Sequence, residues 1–395
     1  MRRFADGPRV LVAHPSAELY GSDRMVLESV GALIRRGIDV TVVVPGQGPL
    51  VPLLHVLGAR VHVLAVPVLQ RGCLSPRGVL GLFIGALRTL PATRRLLKES
   101  GASLLYVSTL TLPTWALAAR LSGTPVVVHV HEAEDQIGSA LGTALHLPLL
   151  LAQRIVVNSE ATRRAVCKAV PPLSGRVRTV YNGVPDQRSP ATDLPQEVPE
   201  RVELVLVGRL SPVKGTDLAL QALTTLVADG VDAHLTLVGD VYPGYEWFRQ
   251  QLEDAAGRDD LAGRVTFTGF EPEVAPFLAR ADIVLVPSRK DSFGNVAVEA
   301  ALAARPVVAA QVQGLAEVVV HETTGLLVPT EDPEALAAAV QRLLADWPAA
   351  RRYAEAARTQ ALTRFGVQRY RNELMVVLDE LLHVSAGKRK LHEWG

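Results

Sequence analysis

Two cations and two acids in the second half of the chain have types and spacings that could do chemistry together. Arg209 and Lys214 lie in the run Gly208-Arg209-Leu210-Ser211-Pro212-Val213-Lys214-Gly215, directly after an apolar run that reads as a strand. Gly208 ends that strand and permits a tight turn. Both cations can point from one strand end. There they would hold a pyrophosphate and, if it departs, stabilise the charge growing on it. Two solvated surface cations are the plainer alternative. Asp291 and Glu299 lie eight positions apart in the stretch Val286–Pro306, VPSRKDSFGNVAVEAALAARP. It reads as the end of a strand, a polar loop and an Ala-rich helix, with Phe293-Gly294-Asn295 at the junction. N–H groups of a helix's first turn, reinforced by the macrodipole, favour an anion. Carboxylates placed for hydroxyls beside amides placed for phosphate point to a nucleotide-sugar. An ordinary strand–helix unit with a solvated loop is the rival reading.

The elements that must position these residues follow one pattern. In the first half, apolar runs at Arg9–Pro15, Asp39–Pro45, Val61–Val66, Leu104–Ser108, Val126–His131, Arg154–Asn158 and Arg178–Tyr181 alternate with helical periods. After a Pro-rich, polar lapse from Asn182 to about Arg201, alternation resumes at Val202–Val207, His234–Val238, Val265–Thr268, Ile283–Pro287, Val307–Ala310 and Gly325–Val328. Such alternation predicts α/β architecture with mostly parallel sheets, whose ligands sit at the carboxyl ends of strands. Three polar segments fall at such ends in the first half: Ala17–Asp23, His129–Glu132 and Asn158–Glu160. If His131 faces a ligand, His129 is expected on the other side, as a satisfied core residue. Thr216 or Asp217 is expected to cap the helix after Gly215.

Composition narrows the function. With 41 basic and 40 acidic residues among 395, the chain has no electrostatic footprint for nucleic acid. Cys73 and Cys167 stand apart without a His or Cys cluster, which argues against a disulfide or a metal centre. No apolar run reaches the roughly 20 residues that a membrane-spanning helix needs, and no signal peptide is visible, so a cytoplasmic protein is expected. Arg71, Arg77, Arg88, Arg94, Arg95 and Lys98 surround an apolar helix. They are compatible with peripheral contact with the anionic inner face of the plasma membrane, although a solvated helix face is the plainer reading.

Taken together, the motifs resemble the retaining glycosyltransferases of family 4, across essentially the whole chain. Gly208-Arg209…Lys214-Gly215 matches that family's diphosphate-gripping loop, and Asp291…Glu299 around Phe293-Gly294 matches its pair of acids eight positions apart. Asn182-Gly183-Val184, Tyr20-Gly21-Ser22-Asp23-Arg24 and His131-Glu132 match further family segments in the right order. The resemblance implies the GT-B fold: two Rossmann-like domains facing across a cleft. An acceptor-side domain would span 1–182, a linker 183–201 and a nucleotide-sugar domain 202–365. A helix at 366–386 would return to the first domain, ahead of a frayed tail at 387–395.

It also implies roles. Arg209 and Lys214 would bind the donor diphosphate, Glu299 the ribose hydroxyls and Asp291 the donor sugar. Amides of Phe293, Gly294 and Asn295 would assist at the sugar and phosphate. Gly21 would allow close backbone approach, His131 would contact the transferring sugar, and Gly208 and Asp240 would line the donor pocket. No metal or cofactor is implied. The expected partners are a nucleotide-diphosphate sugar and a glycan, lipid-linked or small-molecule acceptor. The chain departs from the family at Asp291, where Glu is usual; the shorter arm draws the carboxylate back by about 1.5 Å, one C–C bond. It departs again at Tyr20, Ser22 and the segment Val241–Tyr245. A sugar-nucleotide epimerase or a non-catalytic partner subunit of the same architecture are the rivals. A nicotinamide dehydrogenase is disfavoured, because no GxGxxG follows Val12 or Val207.

Overall fold

The computed structural model describes residues 7–69, 76–132, 139–186 and 193–392. The chain divides into two compact units, one of Met1–Gly183 with Val367–Gly395 and one of Val184–Gly366. Every apolar run expected as a strand forms one.

In the first unit these are β1 (Arg9–Ala13), β2 (Asp39–Val44), β3 (Arg60–Val63), β4 (Leu104–Val107), β5 (Val126–Val130), β6 (Arg154–Val157) and β7 (Val177–Thr179). They pair in parallel in the order β3-β2-β1-β4-β5-β6-β7. β1 is apolar at successive positions because both of its faces are covered. Val10 and Val12 enter one core with Val26, Val30 and Leu33, while Leu11 and Ala13 enter another with Leu97 and Trp115.

The helix Val367–His392 belongs to this unit. Tyr370, Leu374, Met375 and Leu378 share the core of Val10 and Val30. The Tyr370 hydroxyl lies 2.6 Å from Ser29 Oγ, and Arg371 Nε donates to Glu28 at 2.9 Å. The tail expected to fray from Gly387 continues this helix to His392. Lys388, Arg389 and Lys390 are good helix formers, and a single Gly does not end a helix whose next residues favour it. Residues 393–395 lie outside the described residues.

The second unit holds β8 (Val202–Val207), β9 (Ala233–Val238), β10 (Val265–Gly269), β11 (Ile283–Val286), β12 (Val307–Ala310) and β13 (Leu326–Val328). All are parallel, in the order β10-β9-β8-β11-β12-β13. The stretch expected as a linker is fastened to this unit at Val184, Asp186 and Pro195. Val184 N–H donates to Phe365 O at 2.9 Å, Arg358 forks onto Asp186 at 2.7 and 3.0 Å, and Trp347 Nε1–H donates to Pro195 O at 3.0 Å. Its lack of an apolar period hid this, because its anchors are hydrogen bonds and ion pairs with only isolated apolar contacts at Val184 and Leu194. Residues 187–192 lie outside the described residues.

Each sheet reverses its winding beside its first strand, between β1 and β4 in one unit and between β8 and β11 in the other. At such a switch point the crossover helices diverge and leave a crevice beyond the carboxyl ends.

Candidate functional site

In the second unit the cations predicted from the sequence lie at the switch point. Gly208, at φ 142°, ends β8, and a Cβ placed on it would lie 3.9 Å from Lys214 Cγ. The Lys214 stem therefore passes over the residue that precedes Arg209. The Arg209 guanidinium stacks over the Tyr242 ring, 3.9 Å from its centroid, so the divergent segment Val241–Tyr245 helps to set it. A short 3-10 turn, Pro212–Lys214, closes on Gly215 at φ 69°. A Cβ on Gly215 would come within 2.1 Å of the Pro287 carbonyl, so only glycine lets this loop lie against the end of β11.

From β11 the chain turns through Ser288–Gly294 into the helix Asn295–Leu302. Lys214 Nζ donates to Asp291 Oδ2 at 2.7 Å, joining the two motifs. Asp291 Oδ1 accepts the Phe293 N–H at 3.3 Å, and Ser288 Oγ lies 3.5 Å from Asp291 Oδ2. Phe293 is buried edge-on against Phe365, with centroids 5.5 Å apart, and anchors the turn. Gly294, at φ 97°, is the N-cap and has no side chain to close over the first-turn amides. Glu299 follows one turn into the helix and is half-buried. The loop after β12 seals this turn: a Cβ on Gly314 would lie 2.0 Å from the Ser292 carbonyl. Asp240 follows β9, where its carboxylate accepts from Arg249 Nη1 at 2.7 Å and from Val241 N–H at 2.8 Å. Asp217 does not cap the helix Thr216–Ala228. Gly215 is the N-cap, and Asp217 instead receives Arg289, whose Nη1 and Nη2 lie 2.8 and 2.7 Å from its two oxygens.

The first unit has its own polar cluster at its switch point. His14, after β1, bridges Asp23 and Ser108: Nε2 lies 2.6 Å from Asp23 Oδ1, and Nδ1 lies 2.5 Å from Ser108 Oγ. A carboxylate only accepts, so Nε2 carries hydrogen toward Asp23. Asp23 also accepts the Tyr20 N–H at 2.7 Å, which fixes the start of the helix Gly21–Arg35, where Gly21 is the first residue. Burial opposes charge on Asp23, but the hydrogen bond and charge of His14 together with the Tyr20 N–H outweigh it and lower its pKa.

His131 is half-buried, with its Nε2 enclosed. Burial, with a smaller push from His14, brings its pKa down to about 3, so the ring is neutral near pH 7. His129 and His131 do not face opposite sides. Their ring centroids are 4.0 Å apart, because residues two apart along a strand carry their side chains on the same face. His129 is a core residue but only half satisfied: its Nδ1 lies 2.6 Å from the Tyr106 hydroxyl, while its buried Nε2 has no hydrogen-bond partner among the described residues. Glu132 is a strand-end acceptor, receiving Thr109 Oγ1–H at 2.6 Å and the His131 N–H at 3.0 Å.

The sequence reading had not picked out His14, Ser108 or Arg289. A histidine at the very end of the first strand, nine residues before an acid in the next helix's first turn, was the available signal for the His14 pair. Among the described residues no group of three or more His, Cys, Asp or Glu is placed to hold a metal ion, and no helix is long and apolar enough to cross a membrane.

Two doubly wound units, each gathering its polar residues at a switch point, define the GT-B architecture. HepE from Anabaena, solved in complex with UDP, shares the fold with a TM-score of 0.79 at 23% identity, over 94% of this chain and 100% of that one. Residues 201–346 match the family described as glycosyl transferases group 1, and residues 20–188 match glycosyltransferase family 4. The chain belongs to this glycosyltransferase family. It is similar to a D-inositol 3-phosphate glycosyltransferase of Saccharomonospora viridis, 35% identical over 205 residues that cover 49% of this chain and 47% of that protein. It is also similar to a glycogen synthase of Mycobacterium tuberculosis, 30% identical over 268 residues that cover 65% of this chain and 63% of that one. The chain thus spans between about half and under two thirds of the length of these relatives.

Proposed function

We propose that this chain is a retaining, metal-independent glycosyltransferase that moves a hexose-type sugar from a nucleotide-diphosphate donor to an acceptor hydroxyl. The observation that carries the reading is the Lys214–Asp291 pair at the β8/β11 switch point, with Arg209 on the same loop and a glycine-capped helix start beside it. UDP in the related fold of HepE favours a uridine donor. Arg209, Lys214 and the amides of Phe293–Asn295 would grip the diphosphate. As the glycosidic bond lengthens, negative charge builds on the leaving diphosphate, and fixed cations stabilise that charge more than the ground state. Glu299 would accept from the ribose hydroxyls, and Asp291 from a sugar hydroxyl while it keeps Lys214 in place. Gly208 and Asp240 would border the nucleotide, and Arg209, Lys214 and the helix-start amides would do for the diphosphate what a metal ion otherwise does.

In the first unit, Gly21 and His131 are the residues we assign to the acceptor and the sugar. His131, neutral near pH 7, serves there as a hydrogen-bonding group rather than as a cation. The acceptor would be a glycan, a lipid-linked sugar or a small molecule, and the enzyme would work in the cytoplasm. The helix Pro76–Ser100 exposes Ile84 and Leu87 beside Arg88, Arg95 and Lys98, which favours a peripheral role at an anionic membrane. Arg71 lies outside the described residues.

A thermal-shift screen over nucleotide sugars, followed by mass analysis of products from candidate acceptors, tests the reading. Stabilisation by one donor and sugar transfer from it are expected. Nucleotide binding without transfer or hydrolysis of any donor would sink it in favour of a non-catalytic subunit. Co-sedimentation with anionic vesicles tests the membrane role separately.

A further inference from the structure

We propose that Arg289 is a positioning residue for the diphosphate subsite: it holds the chain on both sides of Lys214 and so sets where the ammonium stands. The proposal rests on the reading of that subsite given above. Arg289 donates from all three guanidinium nitrogens within the protein. Nη1 and Nη2 fork onto Asp217 at 2.8 and 2.7 Å, Nη1 also reaches the Pro212 carbonyl at 2.5 Å, and Nε reaches Glu331 at 2.7 Å. Its backbone N–H donates to the Val213 carbonyl at 2.8 Å.

Pro212 and Val213 immediately precede Lys214, and Asp217 follows it by three positions. Two positions after Arg289, Asp291 takes the Lys214 ammonium. The same two loops are therefore joined by two ion pairs, Asp217–Arg289 and Lys214–Asp291. The first is the more rigid, because a bidentate fork fixes orientation as well as distance. Asp217, opposed by burial and aided by Glu331, raises the basicity of Arg289, as a well-made pair should.

The loop needs such a fastening. It begins at Gly208 and ends at Gly215, both at positive φ, and its 3-10 turn is too short to order itself. With its donors spent on protein acceptors, Arg289 acts on a ligand through Lys214 rather than by touching it.

The test is calorimetric titration of the full chain with UDP. Arg289→Gln and Arg289→Lys should each raise Kd by about tenfold, the scale of one lost charge-assisted contact. Lys214→Ala should also weaken binding. The double variant Arg289→Gln with Lys214→Ala should bind no more weakly than Lys214→Ala alone, because Arg289 acts through Lys214. Should Arg289→Gln fail to fold by circular dichroism, Asp217→Asn, which removes the fork's partner, should give the same loss of affinity. Additive losses in the double variant, full affinity in Arg289→Lys, or wild-type affinity in Arg289→Gln would each overturn the proposal alone. A wild-type chain that bound no UDP would overturn the subsite reading and this proposal with it.

Discussion

Lys214 Nζ lies 2.7 Å from Asp291 Oδ2, across two loops that are 77 positions apart in the chain. The pair is mostly enclosed, with side-chain exposures of 29% and 12%. The cation we assign to the diphosphate is therefore held by the acid that departs from the family pattern. Asp291→Asn removes that competing charge. UDP affinity should stay the same or rise, while transfer falls by about tenfold or more through the lost sugar contact and the less fixed ammonium. Binding calorimetry beside initial rates separates the two effects. A loss of UDP affinity would place Asp291 on the nucleotide side.

Lys214→Ala should lower transfer by about 10²–10³, the usual cost of losing one group aimed at developing charge. Near-normal turnover in a folded variant would remove Lys214 from the chemistry. Glu299→Gln should weaken donor binding by about tenfold, because a neutral amide accepts less strongly from hydroxyls than a carboxylate. Unchanged affinity would refute the ribose assignment.

Two glycines of the second unit should respond very differently to alanine. A Cβ on Gly239 would meet the Gly208 carbonyl at 1.9 Å, whereas Gly230 has nothing within 4 Å, though both have positive φ. Gly239→Ala should cost about 3 kcal/mol or more, and Gly230→Ala about 1 kcal/mol. Urea unfolding compares them. Equal costs would show that the β8 and β9 ends separate freely.

Acid should weaken the first unit through its paired histidine rings. Burial lowers the pKa of His129 well below its ordinary value, with the charge of His131 adding to it, and His131 sits at about 3. The unfolded chain takes up protons near pH 6.5, and the folded one does not. Their contribution is therefore complete above about pH 6.5 and declines by about 1.4 kcal/mol per histidine for each pH unit below it, until the folded pKa is reached. Melting temperatures between pH 8 and pH 4.5 should fall, with the slope setting in near 6.5. His131→Asn should flatten that slope, and an unchanged slope would remove His131 as a source of it.

Tyr370→Phe should cost about 1 kcal/mol, one buried hydrogen bond to Ser29. Tyr370→Ala should cost about 3–5 kcal/mol, because a large core side chain is lost as well. Protease resistance of Met1–Gly183 in the two variants reads this out, and equal resistance would show that the last helix contributes little.

The central strands, such as β1, β4, β5, β11 and β12, were legible from sequence because they are buried almost throughout and read as nearly unbroken apolar runs, whereas the edge strand β3 is mostly exposed. Lys214 and Asp291 were each legible as residues at strand ends. That β8 and β11 are neighbours, which brings them together, follows from winding and not from local pattern. Arg289 was hidden because an arginine beside Lys290 in a polar loop reads as solvated, and its partner Asp217 is 72 positions away. His129 and His131 share a face because side chains two apart along a strand point the same way, so the expectation of opposite faces does not follow from a period of two. His14 and Ser108 were hidden for the same reason as Arg289: His14 is a buried strand-end residue whose partners, Asp23 and Ser108, come from a helix and from the end of another strand.

The core around Val10 and Val30 is completed by Tyr370, Leu374 and Leu378, from the last helix of the chain. A ribosome makes Val10 first and Leu378 hundreds of residues later, so the first unit cannot close during most of its own synthesis. Val184–Gly366, by contrast, is contiguous in sequence and can fold as soon as it emerges. Released chains truncated before Tyr370 should therefore be cut by protease within Met1–Gly183 while the second unit resists. In such a chain the apolar groove awaiting that helix is open to chaperones, and biogenesis of this protein runs from its middle outward.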